Sequence, residues 1–239
     1  MRAVVVLALL VLGACGQDEA ASPAAEPATQ SVDAATTPAA AETAATAASP
    51  KGRFAPRDEC VQLAGASQFR GRLIEAVRLR DADALAALAD PDIKLDFGGG
   101  GGIAELKQRL ATAEPSLWRK LDQLLPLGCA ANEHGGLTLP WIFAQDIGDA
   151  DPYSSMLVTG EDEPVLAEPR ANARTIGTVS WDLVEIVSLD PERPFQPVKL
   201  ADGREGFIAT GKLRAVIDYR LIAERVGGAW KIAALIAGD

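Results

Sequence analysis

Three cysteines and one histidine are the residues of this sequence best suited to covalent chemistry. Cys129 and His134 lie five residues apart, and a thiol beside an imidazole base can act as a nucleophile. Because the sequence has a single histidine, we expect no catalytic triad and assign His134 to an exposed loop. Cys60 and Cys129 instead suit a disulfide in an oxidising compartment. The alternative is two separate buried thiols.

Residues that could bind a metal or a phosphate are present, but their spacing is unfavourable. Glu133 and His134 lack the second histidine of a zinc motif such as H-E-x-x-H. The acidic residues at 149–163 lack the D-x-D-x-D-G spacing of a calcium loop. The glycines at 98–102 lack the G-K-[ST] ending of a phosphate-binding loop. We therefore predict no metal site and no cofactor, and we interpret these glycines as a strand-to-helix turn.

The N-terminal segment has the pattern of an export signal. Arg2 precedes an apolar run, residues 3–12, that is too short to span a membrane as a helix. The segment LGAC at residues 12–15 resembles the lipobox of bacterial lipoproteins. That resemblance implies a signal peptide at 1–15, lipidation of Cys15 and, with Gly16 next, the periplasmic face of the outer membrane. The alternative is an ordinary secretory peptide with a chance cysteine.

The composition of the rest of the chain limits its partners. Residues 16–56 are rich in Ala, Pro, Thr and Ser, and we predict a disordered linker because such a segment buries little apolar surface. The remainder of the 239 residues suffices for one ordinary domain and a small one. A net charge of −10 argues against nucleic acid and against anionic lipid surfaces. We expect membrane contact through the lipid anchor only.

Hydrophobic periodicity predicts helices and strands on both sides of a more turn-rich region. Apolar residues recur at helical spacing over 67–80, and shorter helices are predicted at 84–89, from Ile103 and from Ser116. Alternation predicts strands at 93–97 and 137–143, and a hairpin with a Gly227-Gly228 turn near the C-terminus. The fold class is therefore α+β.

Residues 156–213 alternate short apolar runs with Pro, Gly and Asp turns, which favours a small β-barrel. The runs are 156–159, 165–167, 176–179, 183–187, 198–200 and 206–209. The segment VKLADGREGFI at 198–208 resembles the closing hairpin of bacterial SH3 (SH3b) domains. AEPR at 167–170, TIGTV at 175–179 and VEIV at 184–187 resemble earlier parts of the same family. This resemblance implies an SH3b module at 153–214 that binds a ligand.

Two flanking segments resemble another family. RDADALAALADPDIKLDFGGG at 80–100 and DYRLIAERVGGAWKIAALIAGD at 218–239 are similar to the first helices and the last hairpin of NTF2-like domains. The resemblance implies an α+β domain made of 57–152 plus 215–239, with the SH3b module inserted. Tandem domains, with the terminal hairpin packed on the barrel, are the alternative. For an NTF2-like pocket enzyme, Asp96 and Tyr219 are the pair to test, with surface or packing roles as the alternative.

Aromatic residues are the candidate ligand contacts of the SH3b segment, because SH3-type grooves seat extended ligands on aromatic side chains. Trp181, Phe195 and Phe207 are the candidates, with core packing as the alternative. The segment at 195–197 departs from the family pattern, which often has a Trp here. We predict a non-enzymatic envelope lipoprotein that binds peptidoglycan (the cell-wall glycopeptide) or a periplasmic protein. The alternatives are a pocket enzyme or small-ligand binder, and a structural partner in an envelope complex.

Overall fold

The computed structural model describes residues 51–113 and 116–238, which form a mixed α+β structure. Cys15, the predicted signal peptide and residues 16–50 of the predicted linker lie outside the described residues. The α-helices are α1 (Ala66–Leu79), α2 (Ala82–Leu88), α3 (Gly102–Ala111) and α4 (Leu117–Leu124). Within the described part of the chain, every helix is too short or too polar to cross a bilayer.

The strands belong to two separate sheets. In chain order they are β1 (Ala89–Lys94), β2 (Ala130–Ala131), β3 (Leu137–Leu139), β4 (Ser155–Val158), β5 (Glu163–Leu166), β6 (Thr175–Val179), β7 (Leu183–Ile186), β8 (Phe195–Lys199), β9 (Glu205–Ala209), β10 (Leu213–Ala215), β11 (Arg220–Val226) and β12 (Ala229–Ile236). The first sheet has the order β1-β12-β11-β3-β2, so strands from both ends of the described region lie side by side. The second sheet has the order β10-β4-β7-β8-β9-β5-β6.

The helices bury their apolar faces against the first sheet. Phe69 and Leu73 of α1 and Leu121 of α4 are buried together with Leu221 and Trp230 of the terminal hairpin. The Phe69 and Trp230 ring centroids are 6.3 Å apart. The space between the helices and the sheet is therefore filled by large apolar side chains, which is how amphipathic helices gain most of their stability.

Two strand predictions in this half need correction. The strand predicted at 93–97 instead begins at Ala89 and includes Pro91. A proline is tolerated here because β1 is the edge strand, where a missing N–H leaves no ladder bond unmade. The strand predicted to run to residue 143 ends at Leu139, because Pro140 cannot donate to the ladder, and a 3₁₀ turn follows at Trp141–Ala144.

The second sheet contains the six strands predicted from residues 156–209, and it adds β10, which was not predicted. Its neighbouring strands pair in antiparallel fashion, and their inward side chains, including Val158, Val165, Val184, Val198 and Ile208, form a second core. The predicted closed barrel is not observed. Among the described residues β6 pairs only with β5 and β10 only with β4, so the sheet is open. The SH3b assignment and the domain boundaries stay predictions.

A third apolar cluster joins the two sheets. It contains Phe54, Trp141 and Leu157, and Trp181 and Leu183 pack against it. Phe54 is only 2% exposed, although the sequence assigned it to the linker. The ordered region therefore begins earlier than predicted, because this phenylalanine covers the contact between the sheets.

The predicted disulfide is confirmed: Cys60 and Cys129 are bonded to each other. Backbone hydrogen bonds join the same two segments. The Glu59 amide donates to Cys129 O over 2.9 Å, and the Cys129 amide donates to Arg57 O over 2.8 Å. The segment before α1 is thus fastened beside β2 both covalently and by hydrogen bonds.

Candidate functional site

The β8–β9 hairpin contains the motif on which the SH3b resemblance rests, and four of its residues, Asp202, Gly203, Arg204 and Gly206, have structural roles. Gly203 has a φ of +84°, a left-handed conformation that favours glycine in the turn. Arg204 donates from Nη1 to Ile176 O over 3.0 Å and so fastens the hairpin to β6. The amide of Arg204, and then its guanidinium, hold the pKa of Asp202 below its usual range. A Cβ on Gly206 would lie 2.5 Å from Val165 Cγ1, so only glycine lets β5 pass this closely.

Alternation along this hairpin places a row of apolar side chains on the side away from the second core. Gln196 and Val198 of β8 and Gly206 and Ile208 of β9 are buried. Phe195 and Pro197 of β8 and Phe207 and Ala209 of β9 alternate with them and are half-buried. We call this group of Phe195, Pro197, Phe207 and Ala209 the aromatic face.

The register brings the members of the aromatic face together. Phe195 pairs with Ala209, and Pro197 pairs with Phe207, so the two phenylalanines are diagonal neighbours on adjacent strands. Diagonal neighbours in a sheet are close enough for aromatic side chains to touch one ligand. Val187 extends the face, because its amide donates to Pro197 O over 3.1 Å and its side chain is 57% exposed.

A buried glutamine, which the sequence analysis did not single out, holds the loop beside this face. Gln196 has no solvent exposure, and its Oε1 accepts from the Asp190 amide over 3.1 Å. Its Nε2 donates to Asp190 O over 2.6 Å and to Thr210 Oγ1 over 2.8 Å. These bonds fix residues 190–194 next to Phe195. The available signal was a polar residue at an inward position of an alternating strand.

Trp181 does not belong to the aromatic face, and its prediction as a ligand contact gains no support. Its side chain packs on the cluster that joins the two sheets, near Phe54 and Trp141. Its carbonyl accepts from the Phe54 amide over 2.8 Å, and its own amide donates to Gly160 O over 2.9 Å. Trp181 is half-buried, and this packing agrees with the alternative of core packing, while its role as a ligand contact stays a prediction.

The other candidate pairs for chemistry are kept apart or already bonded. Cys129 is in the disulfide and so offers no thiol to the exposed His134. Asp96 lines a cleft of about 950 Å³ on the open side of the first sheet. Tyr219 instead packs against the core between the helices and this sheet, and the centroid of its ring is 5.9 Å from Lys120 Nζ. The predicted pair of Asp96 and Tyr219 therefore does not share one site in the described structure.

Three amides of the glycine run next to Asp96 donate to carboxylates. Gly98 and Gly100 both donate to Asp96 Oδ1 over 2.8 Å, and Gly101 donates to Glu105 Oε2 over 2.8 Å. The amide of Gly100, and next the guanidinium of Arg109, lower the pKa of Asp96. A carboxylate held ionised in this way is a weak proton acceptor. The loop is a braced strand-to-helix turn, as predicted.

Potential metal ligands are not gathered into a usable group in the part of the chain that the structure describes. Asp58, Cys60 and Cys129 are the only close set of three there, and the two sulfur atoms are bonded to each other. The acidic residues at 149–163 are dispersed, with Glu163 2.6 Å from Lys212 Nζ and Asp162 3.0 Å from Lys51 Nζ. They offer no basis for proposing a calcium site.

Comparison with protein families and with curated proteins finds no match for this chain. The SH3b, NTF2-like and lipoprotein resemblances therefore rest on the short motifs described above.

Proposed function

We propose that this protein is a lipid-anchored component of the bacterial envelope that binds cell-wall glycopeptide through the aromatic face. The observation that carries the proposal is the diagonal pair of Phe195 and Phe207, half-exposed on the outer side of the second sheet. Exposed aromatic side chains offer a large contact area with only two rotatable bonds, which suits extended ligands.

The support beneath the aromatic face favours binding over a merely exposed patch. Val198 and Ile208 form the opposite side of the same two strands and lie in the second core. Gln196 fixes the adjoining loop by hydrogen bonds on both of its amide atoms. A face built on packed strands loses little conformational entropy when it binds, so more of the contact energy becomes affinity.

The alternative of an NTF2-like pocket enzyme is less well supported. The interior between helices and sheet is filled by residues such as Phe69, Leu121 and Trp230. Asp96, the one carboxylate considered as a base, is engaged by glycine amides and by Arg109. Binding without catalysis therefore remains our proposal.

Co-sedimentation with purified peptidoglycan sacculi tests the proposal. The full-length protein, kept soluble in mild detergent, should pellet with sacculi. The double variant Phe195→Ala/Phe207→Ala should bind at least about tenfold more weakly, as expected when two central aromatic contacts are truncated. Phe97→Ala is the matched control, because Phe97 is 59% exposed but lies beside the first sheet.

The outcomes separate the proposal from general adhesiveness. If Phe97→Ala loses as much sacculus binding as the double variant, the binding depends on non-specific aromatic contacts and the proposal is refuted. A wild-type protein that stays in the supernatant at low and moderate salt, or a double variant that pellets like wild type, would refute wall binding by this face.

The lipid anchor is tested separately by metabolic labelling with palmitate. We expect label on the wild-type protein and none on the Cys15→Ser variant. Label on both, or on neither, would contradict lipidation at this cysteine.

A further inference from the structure

A second cleft, of about 610 Å³, lies between α4 and β10, apart from the aromatic face. Alternation along β10 explains why a charged side chain reaches it. Leu213 and Ala215 pack against the second core, so Arg214 between them points to the opposite side. Arg214 is 8% exposed, which is unusual for an arginine.

Two cations share one carboxylate at this cleft. Lys120 Nζ lies 3.2 Å and 3.3 Å from the two carboxylate oxygens of Asp218. Arg214 Nη1 is 3.3 Å from the same carboxylate, and Arg214 Nη2 donates to Tyr219 O. Of the described residues that line the cleft, only Lys120, Arg214 and Asp218 carry charge. The group therefore has an excess of one positive charge in a protein whose net charge is −10.

Burial makes this excess charge costly. Desolvation lowers the pKa of Arg214, and the neighbouring Asp218 offsets that effect only in part. A guanidinium has five N–H donors in a planar fork, and its strongest partners are carboxylate and phosphate oxygens. A second anion at the cleft would supply such a partner and would balance the charge.

The remaining walls of the cleft are largely apolar. Leu127 and Ile217 line it beside the two cations. Ligand pockets of this size combine apolar walls with a few charged groups that set orientation. One excess charge matches a monoanion better than a dianion, and the apolar walls match a hydrocarbon body.

We propose that this cleft binds a small organic monocarboxylate, with its charged group on Lys120 and Arg214 and its apolar body on Leu127 and Ile217. This site is independent of the aromatic face. Neither sheet alone forms the cleft, because α4 packs on the first sheet whereas β4 and β10 belong to the second sheet.

Isothermal titration calorimetry of the full-length protein at low ionic strength tests the proposal with four probes. Hexanoate has both the charge and the apolar body, hexanamide lacks the charge, and acetate lacks the body. We expect hexanoate to bind at least about tenfold more tightly than either of the other two. Inorganic phosphate is a fourth probe and should also bind more weakly than hexanoate. Equal binding of hexanoate and hexanamide, or no binding of hexanoate up to roughly 10 mM, would overturn the proposal.

Three variants locate the site. Lys120→Gln should weaken hexanoate binding about tenfold, and Asp218→Asn should strengthen it, because Asp218 competes for the same donors. Lys107→Gln is the control, since Lys107 pairs with Asp83 outside this cleft. Thermal unfolding of each variant identifies loss of fold. The assignment would be refuted if a folded Lys120→Gln variant bound hexanoate like wild type. It would also be refuted if Lys107→Gln lost as much hexanoate affinity as Lys120→Gln.

Discussion

Removal of the Cys60–Cys129 disulfide should lower the free energy of unfolding substantially. The two cysteines are 69 residues apart in sequence. In the chain-entropy description, a cross-link that closes a loop of about 70 residues stabilises the folded state by about 4 kcal/mol at 25 °C. Native hydrogen bonds across the same connection, Glu59 to Cys129 and Cys129 to Arg57, remain when the bond is reduced. We therefore expect the fold to persist and its stability to fall.

Urea denaturation followed by tryptophan fluorescence measures this change. The oxidised protein, the reduced protein and the double variant Cys60→Ala/Cys129→Ala are compared under the same conditions. Reduced wild type retains both sulfur atoms, so it separates the cross-link from the volume lost at these two buried positions. Reductant should not change the double variant. If the free energies of unfolding of the oxidised and the fully reduced protein differ by less than about 1 kcal/mol, the loop-closure reasoning is refuted.

Three further perturbations test the second sheet and the glycine turn. Gln196→Ala should reduce stability by about 1–3 kcal/mol in urea denaturation, because half-buried partners at residues 190 and 210 lose their hydrogen bonds. A change below about 0.5 kcal/mol would contradict this. Gly206→Ala should cost about 1–3 kcal/mol, because its Cβ would overlap Val165, whereas Gly211→Ala, with open space at that position, is the matched control. Asp96→Asn should destabilise the protein at pH values above the ordinary carboxyl pKa of 3.8, since the pKa of Asp96 is lowered in the folded protein. The difference in free energy of unfolding between the variant and wild type should shrink as the pH falls through that lowered pKa. A difference that does not change with pH would contradict this expectation.

Much of the fold follows from local patterns in the sequence. The spacing of Phe69, Leu73 and Val77 predicted α1, and these residues are buried in the observed helix. Alternation and turn residues predicted β11 and β12, with the Gly227-Gly228 turn between them. The disulfide was predicted from two thiols in a chain that was expected to be exported.

The parts that were missed depend on contacts between distant segments. Trp181 lies between β6 and β7, and its packing at the contact between the sheets depends on Phe54, which is far away in sequence. The cleft with Lys120 and Arg214 arises because α4 and β10 meet, and neither residue belongs to a local sequence motif. Closure of the barrel depends on pairing between its two edge strands, which strand patterns do not specify.

Site-specific photocrosslinking in living bacteria tests the central claim most directly. A photoreactive phenylalanine analogue is placed at position 207 in one variant and at position 97 in another, and each adduct is analysed by mass. The proposal predicts glycopeptide adducts at 207 and none at 97. Adducts at 97 alone, no adduct at either position despite normal expression, or protein-only adducts at 207 would contradict wall binding by the aromatic face.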